Sequence, residues 1–184
     1  AAAHFGWRTL DNPLTFAIVD VDRTTSGANA RVTLPVRFLG LDHRVSAGMD
    51  AQFQDDERKN FANCNFVPPL TQPTAACPVV SRERGVVQLD QRERVSGLGP
   101  FVRDEIAFSD RYRLTLGVRA DYVQFRVGDH LITATNPDDS GERTLHAVSP
   151  LVGLVARVGA LHSVYANLST AFETPTATEL ARGL

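Results

Sequence analysis

Two cysteines, Cys64 and Cys77, carry the most definite covalent chemistry in this sequence. Both lie in the Pro- and Asn-rich segment 61–80, and no histidine lies between them. Common zinc sites need thiol or imidazole ligands in closely spaced pairs, which this segment lacks. A local disulfide that ties down an irregular loop is the simplest interpretation, with two free thiols as the alternative. A disulfide indicates an oxidising compartment such as the periplasm or the cell surface.

A second group of polar side chains lies in and beside the segment 128–143. Its members are His130, Asp138, Asp139, Glu142 and His146. They could bind a metal ion, but solvated polar loops contain such residues routinely, and we favour that interpretation. The sequence shows no nucleophile motif, phosphate-binding loop or paired-carboxylate signature. We therefore predict no catalytic residue, no enzymatic activity and no cofactor.

A third group could act through charge alone, because its members alternate with apolar residues along extended segments. Successive side chains of a strand point to opposite sides of the sheet, so each such segment has an apolar face and a polar face. We predict that the charged residues of the polar faces line a hydrated lumen, with ordinary pairing between neighbouring strands as the alternative. This set comprises Arg37, Arg44, Arg113, Arg119 and Asp121.

The apolar faces of the same segments are suited to a bilayer. The segment 113–127 has 15 residues, whereas ordinary soluble strands have roughly 5 or 6 and a tilted spanning strand needs about 9 to 11. Tyr122 and Phe172 are placed to be aromatic residues at the membrane boundary, with plain packing as the alternative. The residues predicted to face lipid are Leu114, Leu116, Val118, Tyr122, Val152, Leu154 and Leu168.

Long polar segments and short turns alternate along the chain from residue 29 onward. We expect short connections at 40–42, 109–112 and 159–161, and long polar loops at 55–82 and 128–143, with a further polar loop at 22–27. Short turns at one end and long loops at the other are typical of outer-membrane barrels. The fold class predicted is all-β, an antiparallel up-and-down meander of long hairpins that is part of a transmembrane β-barrel.

Bulk properties exclude several other classes. The chain has 184 residues and is 43% hydrophobic, which fits one soluble or membrane β-domain. The net charge is -2 and no basic cluster stands out, so nucleic acid is not an expected partner. The longest apolar stretch, 151–164, is interrupted by Arg157 and His162, which excludes a membrane-spanning helix.

Four segments, in order and spacing, resemble consecutive strands of the barrel domain of TonB-dependent outer-membrane receptors. They are FVRDEIAFSD from Phe101, LTLGVRADY from Leu114, SPLVGLV from Ser149 and YANLSTAFETP from Tyr165. The resemblance covers roughly residues 84–180. It implies a plugged barrel of about 22 strands that imports ferric siderophores, vitamin B12 or similar scarce ligands with energy relayed by TonB.

The resemblance also implies a longer protein than this chain. We recognise no plug, no TonB-interacting N-terminal segment and no terminal aromatic strand. We therefore expect residues 1–184 to be an internal fragment of the barrel domain, without the plug or the C-terminal strands. The expected partners are outer-membrane lipid and, through the full-length receptor, a ferric siderophore or other small ligand and TonB. The expected location is the bacterial outer membrane.

A soluble or periplasmic β-rich binding module without catalytic activity is the alternative. In that case the same hairpins would fold as a sandwich. The two interpretations differ in what covers Leu116, Val118, Val152 and Leu168: lipid in the first, and a second sheet in the second.

Overall fold

The chain forms one antiparallel sheet of seven strands. The computed structural model describes residues 1–65, 70–79 and 83–174. Each strand pairs with the next one along the chain, so strand order follows sequence order. The prediction of an all-β antiparallel meander is confirmed. The strands are β1 (Ala2–Pro13), β2 (Ala17–Phe38), β3 (Leu41–Asn63), β4 (Arg84–Ala107), β5 (Tyr112–Asp129), β6 (Gly141–Arg157) and β7 (Ser163–Ser169).

The register between strands gives the whole sheet two distinct faces. β4 and β5 pair Ala107 with Arg113, and β5 and β6 pair Tyr112 with Ala156, with no later change of register. Directly opposite residues share a face, and a slip of one residue would move every side chain to the other face. We call the face that carries Leu114 the apolar face and the opposite face the polar face.

The two ends of the sheet also differ. The connections 39–40, 108–111 and 158–162 lie at what we call the short-turn end, and the connections 64–83 and 130–140 lie at the long-loop end. At the first of the short turns, Leu39 has φ of 52° and Gly40 has φ of 78°. Positive φ at both positions is the type I′ geometry, whose twist fits a tight hairpin. β3 therefore begins at Leu41, inside the connection predicted at 40–42.

Two segments predicted as loops belong to strands instead. Residues 22–27 lie within β2, and residues 55–63 form the last part of β3. Arg23 donates hydrogen bonds of 2.8 and 2.5 Å to the two carboxylate oxygens of Asp56, one from each segment. Opposite charges that face each other across two strands stabilise their pairing. A polar composition was therefore mistaken for a loop because the partner strand was unknown.

The sheet is a single layer over most of its area. Its few buried apolar residues lie mainly at the long-loop end, where Ala17, Ile18 and Ala62 are each less than 5% exposed. Within residues 1–65, 70–79 and 83–174, no second sheet covers the apolar face. No helix that is long and apolar enough to cross a membrane occurs in these ranges.

Candidate functional site

All the residues predicted to face lipid lie on the apolar face. Leu116 is paired with Val152, and Val152 is paired in turn with Leu168. Leu116 is 41% exposed and Leu168 is 78% exposed, so no protein layer packs against them. Their contact with lipid stays a prediction. The full set on this face is Leu114, Leu116, Val118, Tyr122, Val152, Leu154 and Leu168.

The apolar face continues across the sheet beyond this set. Val32, Leu34 and Val36 of β2 and Val148 of β6 are all exposed by 45% or more. Soluble monomers rarely leave a contiguous apolar surface of this extent uncovered. A sandwich would bury these side chains beneath a second sheet, and none lies there in the described part of the chain. The soluble alternative is therefore disfavoured.

Aromatic side chains mark both margins of the apolar face. Phe38, Phe108 and Tyr112 lie near the short-turn end, and Phe5, Trp7, Phe53 and Tyr122 lie towards the long-loop end. At about 3.4 Å per residue, Tyr112 and Tyr122 are about 34 Å apart along β5. A tilt of about 40° reduces that length to roughly 26 Å along a membrane normal, close to the band of about 25 Å that outer-membrane barrels present.

One polar pair interrupts the apolar face near the short-turn end. His43 Nδ1 and Asp104 Oδ2 are 2.7 Å apart, and the ring of Phe38 lies edge-on to His43 with a centroid distance of 6.2 Å. The two polar side chains are only 12% and 26% exposed. A buried carboxylate needs a hydrogen-bonding partner, and His43 supplies it from a strand 61 residues away in sequence. The sequence places Asp104 on this face but does not identify its partner.

The residues predicted to face a lumen all lie on the polar face. Arg119 donates to Asp50 at 2.5 Å and to Asp121 at 2.8 Å. Arg37 lies 3.8 Å from Asp42, and both side chains are exposed. Among the described residues, Arg44 and Arg113 make no ion pair. Cross-strand pairing therefore accounts for part of this set, which comprises Arg37, Arg44, Arg113, Arg119 and Asp121.

Glycines on the polar face let neighbouring side chains lie flat against the sheet. The guanidinium of Arg119 covers Gly99, where an added Cβ would collide with it. The ring of Phe101 covers Gly48 in the same way, with its Cζ atom 2.7 Å from where a Cβ would be. Because these two side chains lie against the backbone of the neighbouring strand, they project less far from the polar face.

Towards the long-loop end, the apolar face gives way to a band of ion pairs. We call this the charge band; it comprises Asp55, Glu57, Lys59, Asp90, Arg92 and Arg94. Arg92 Nη2 lies 2.6 Å from Asp55 Oδ2, and Lys59 Nζ lies 2.9 Å from Asp90 Oδ2. The hydrogen bond from Arg92 holds the pKa of the Asp55 carboxyl below its ordinary value, against the opposing effect of burial.

This arrangement predicts a specific pH dependence for Arg92→Gln. A lowered folded pKa of Asp55 stabilises the folded state above the ordinary carboxyl pKa of about 4, and the contribution is lost as pH falls through the folded value. We expect the substitution to lower the free energy of unfolding by about 1 kcal/mol or less at pH 7. The deficit should shrink below about pH 4, as measured by urea unfolding in lipid vesicles.

Arg111→Gln provides the matched control, because Arg111 lies in the 108–111 turn and has no ion pair in the described part of the chain. Its effect on unfolding should not change over the same pH range. An equal pH dependence for both variants would show that the Arg92–Asp55 contact does not matter to stability.

A disulfide joins Cys64 to Cys77 at the long-loop end of the sheet. Their Cα atoms are 5.8 Å apart, within the usual range for bonded cysteines, and the cysteines are 5% and 1% exposed. The backbone N–H of Cys64 donates to Glu83 O at 2.8 Å, and that of Val86 donates to Ala76 O at 2.9 Å. The bonded segment is thus tied to the start of β4.

The candidate metal ligands of the 130–140 connection do not converge. In the described residues, no group of three His, Cys, Asp or Glu side chains is placed to hold a metal ion. Hydrogen bonds from Ser140 lower the pKa of Asp138. Asp129 accepts a hydrogen bond of 2.8 Å from the backbone of Leu131. These carboxylates shape the loop through its own backbone.

The structure corrects the position predicted for Phe172. β7 ends at Ser169, and Phe172 lies on the polar face rather than at a lipid boundary. There it lines a cavity of about 250 Å³ together with Asp50, Arg119 and Asp121. The alternation of β7 predicts an outward side chain only if the strand continues, and it stops three residues earlier.

A sheet with one uncovered apolar face and one polar face defines a segment of a membrane β-barrel. Residues 4–183 match the family of TonB dependent receptor-like, beta-barrel proteins, and the chain belongs to this family. These barrels lie in the bacterial outer membrane and serve in transport rather than as enzymes. Both expectations, of location and of a non-enzyme, are confirmed by the family.

A solved structure supports the same fold. The chain is similar to the ferric citrate transporter FecA in its unliganded form, with a TM-score of 0.66 and 14% sequence identity. The match covers 91% of this chain and 23% of that one. The chain therefore spans less than a quarter of the length of that transporter, and at this identity the likeness concerns the fold.

Proposed function

We propose that the chain forms part of the barrel wall of a TonB-dependent receptor that takes up a ferric siderophore or a similarly scarce small ligand. The observation that carries the proposal is the uncovered apolar face backed by a polar face in one family-matched sheet. The similar transporter carries ferric citrate, which supports an iron chelate as the ligand class. TonB would supply the energy through the N-terminal region of the full-length receptor.

In this proposal, the apolar face contacts outer-membrane lipid. Leu116 and Val118 lie between the two aromatic margins, in the part of the strand that is deepest in the hydrocarbon. The charge band lies beyond the hydrocarbon, because its ion pairs need the water and headgroups found there. The long loops are then outside the cell, and the short turns are in the periplasm.

The polar face lines the lumen in this proposal and meets the plug. Arg44 and Arg113 project from the periplasmic half of the wall without an ion pair among the described residues. Arginine matches carboxylates with two parallel hydrogen bonds. We therefore infer that acidic side chains of the plug pair with these arginines in the full-length receptor.

We further propose that residues 1–184 supply only part of the barrel. The sheet is open, since its order runs from β1 to β7 and these two strands do not pair. A barrel needs every edge paired, because unpaired backbone groups in hydrocarbon are costly. Further strands of the same protein would close it.

Uptake of radiolabelled iron tests the proposal directly. Cells that lack the full-length gene, and cells that lack TonB, should both fail to accumulate iron from the same ferric chelate. Restoring the gene should restore uptake only where TonB is present. Normal growth and uptake in the deletion strain across a panel of ferric siderophores would contradict an iron-chelate receptor.

A further inference from the structure

We propose that residues 171–174, which we call the strap, cover a groove in the polar face and must leave it for cargo to pass along this wall. The role in passage rests on the proposed function, whereas the position of the strap does not. The inference comes from where the chain goes after β7.

The strap leaves the sheet although its neighbour strand continues. β6 begins at Gly141, but β7 pairs only with the stretch Leu151–Arg157. The last contact is a hydrogen bond of 3.2 Å from the backbone N–H of Thr170 to Pro150 O. Continued pairing would have placed Glu173 opposite Ala147. The chain instead turns onto the polar face.

Two adjoining cavities on the polar face show where the strap lies. One of about 250 Å³ is lined by Phe172 and Thr174, and the other, of about 350 Å³, is lined by Thr174 again. Gln52, Gly97 and Val123 line both cavities, so the two form one groove. The strap therefore reaches across β5 and β4 to β3.

The strap has few polar contacts with the groove. The walls of the groove are polar and apolar in similar measure: Thr25, Gln52 and Gln54 lie at one end, the Arg119 ion pairs lie at the other, and Val123 lies between them. Phe172 is half-buried there, and in the described part of the chain no hydrogen bond joins residues 171–174 to the wall. Without hydrogen bonds to break, release exposes mainly the one aromatic ring. The strap can therefore be displaced.

Paired cysteines in the full-length receptor, in isolated outer membranes, distinguish the strap from a continued strand. Thr174→Cys with Gln52→Cys should form an oxidative cross-link, because both residues line the same two cavities. Glu173→Cys with Ala147→Cys is the matched pair, placed where the β6–β7 register would continue. We expect the first pair to cross-link, whether or not the second also does. Cross-linking of the second pair alone, or of neither, would overturn the inference.

A labelling measurement covers the case in which a double variant fails to fold. Gly97 lies in the groove beneath the strap and tolerates a side chain, because an added Cβ would meet only Val123 Cγ2, at 3.8 Å. Phe172→Ala should raise the labelling rate of Gly97→Cys by a water-soluble maleimide several-fold, whereas Phe108→Ala, at the short-turn end, should not. Equal rates in all three proteins would show that the strap does not cover Gly97.

Uptake separates this inference from the proposed function. Oxidised Thr174→Cys/Gln52→Cys receptor should lose iron uptake and regain it on reduction. A cross-link that forms without loss of uptake would overturn the requirement for release. No uptake even in the unmodified receptor would instead contradict the proposed function, with the cross-linking result still valid.

Discussion

Val152→Arg should destabilise the protein by about 2–4 kcal/mol, the largest effect that we expect from a single substitution on the apolar face. Val152 lies opposite Leu116 and Leu168 and is 45% exposed. If that exposure is to hydrocarbon, a guanidinium there loses its hydration with no acidic residue directly opposite it. The free energy of unfolding, measured by urea titration of the full-length receptor in lipid vesicles, gives the comparison.

Thr115→Arg is the control, since Thr115 lies on the polar face directly opposite Gly153, the residue after Val152. It is paired with Glu105 of β4, so a new arginine would meet a carboxylate in a hydrated lumen. We expect a change within about 0.5 kcal/mol. Equal losses for the two variants would show that the two faces of the sheet do not differ in environment.

Gly48→Ala should destabilise the protein by about 1–3 kcal/mol through overpacking. An added Cβ would lie 2.5 Å from the backbone oxygen of Ala30 and 2.7 Å from Phe101 Cζ. The ring can rotate away, but the carbonyl belongs to the paired strand and moves only with the ladder. Urea unfolding of the variant in lipid vesicles measures the loss.

Gly97→Ala is the matched substitution on the adjacent strand. Its Cβ would meet only Val123 Cγ2, at an ordinary contact distance of 3.8 Å. Since alanine also restricts the unfolded chain, we expect no loss, or a gain of about 0.4–1 kcal/mol. If Gly48→Ala proved as well tolerated as Gly97→Ala, the close approach of the Ala30 carbonyl to Gly48 would not hold in the membrane.

The two-faced architecture could be predicted from local pattern. Alternation along 113–122 depends only on neighbouring residues, and it correctly predicted which residues of β5 share a face. The same reasoning placed Arg119 and Asp121 together on the polar face. It could not supply Asp50, because that partner lies 69 residues away and only the register brings it near.

The prediction of loops was wrong where a segment has the polar composition of a loop but pairs with a neighbouring strand. Asp55 and Asp56 were interpreted as loop residues because they open a run of charges, yet each is bonded to an arginine on a neighbouring strand. A sign was available, since the later segment Arg92–Arg94 carries complementary charges at alternate positions. No comparable pattern indicated the position of Phe172, because the alternation of apolar and polar residues continues past Ser169, where β7 ends.

Spin labels placed in turn at Thr115, Leu116, Gly117 and Val118 test most directly whether the apolar face meets lipid. The native cysteines are bonded to each other and leave the new thiols free to react. In the full-length receptor in lipid vesicles, positions 116 and 118 should be accessible to dissolved oxygen and shielded from a nickel chelate. Positions 115 and 117 should show the reverse. Labels at 116 and 118 that are shielded from both reagents, as in a closed protein core, would contradict a membrane-facing surface.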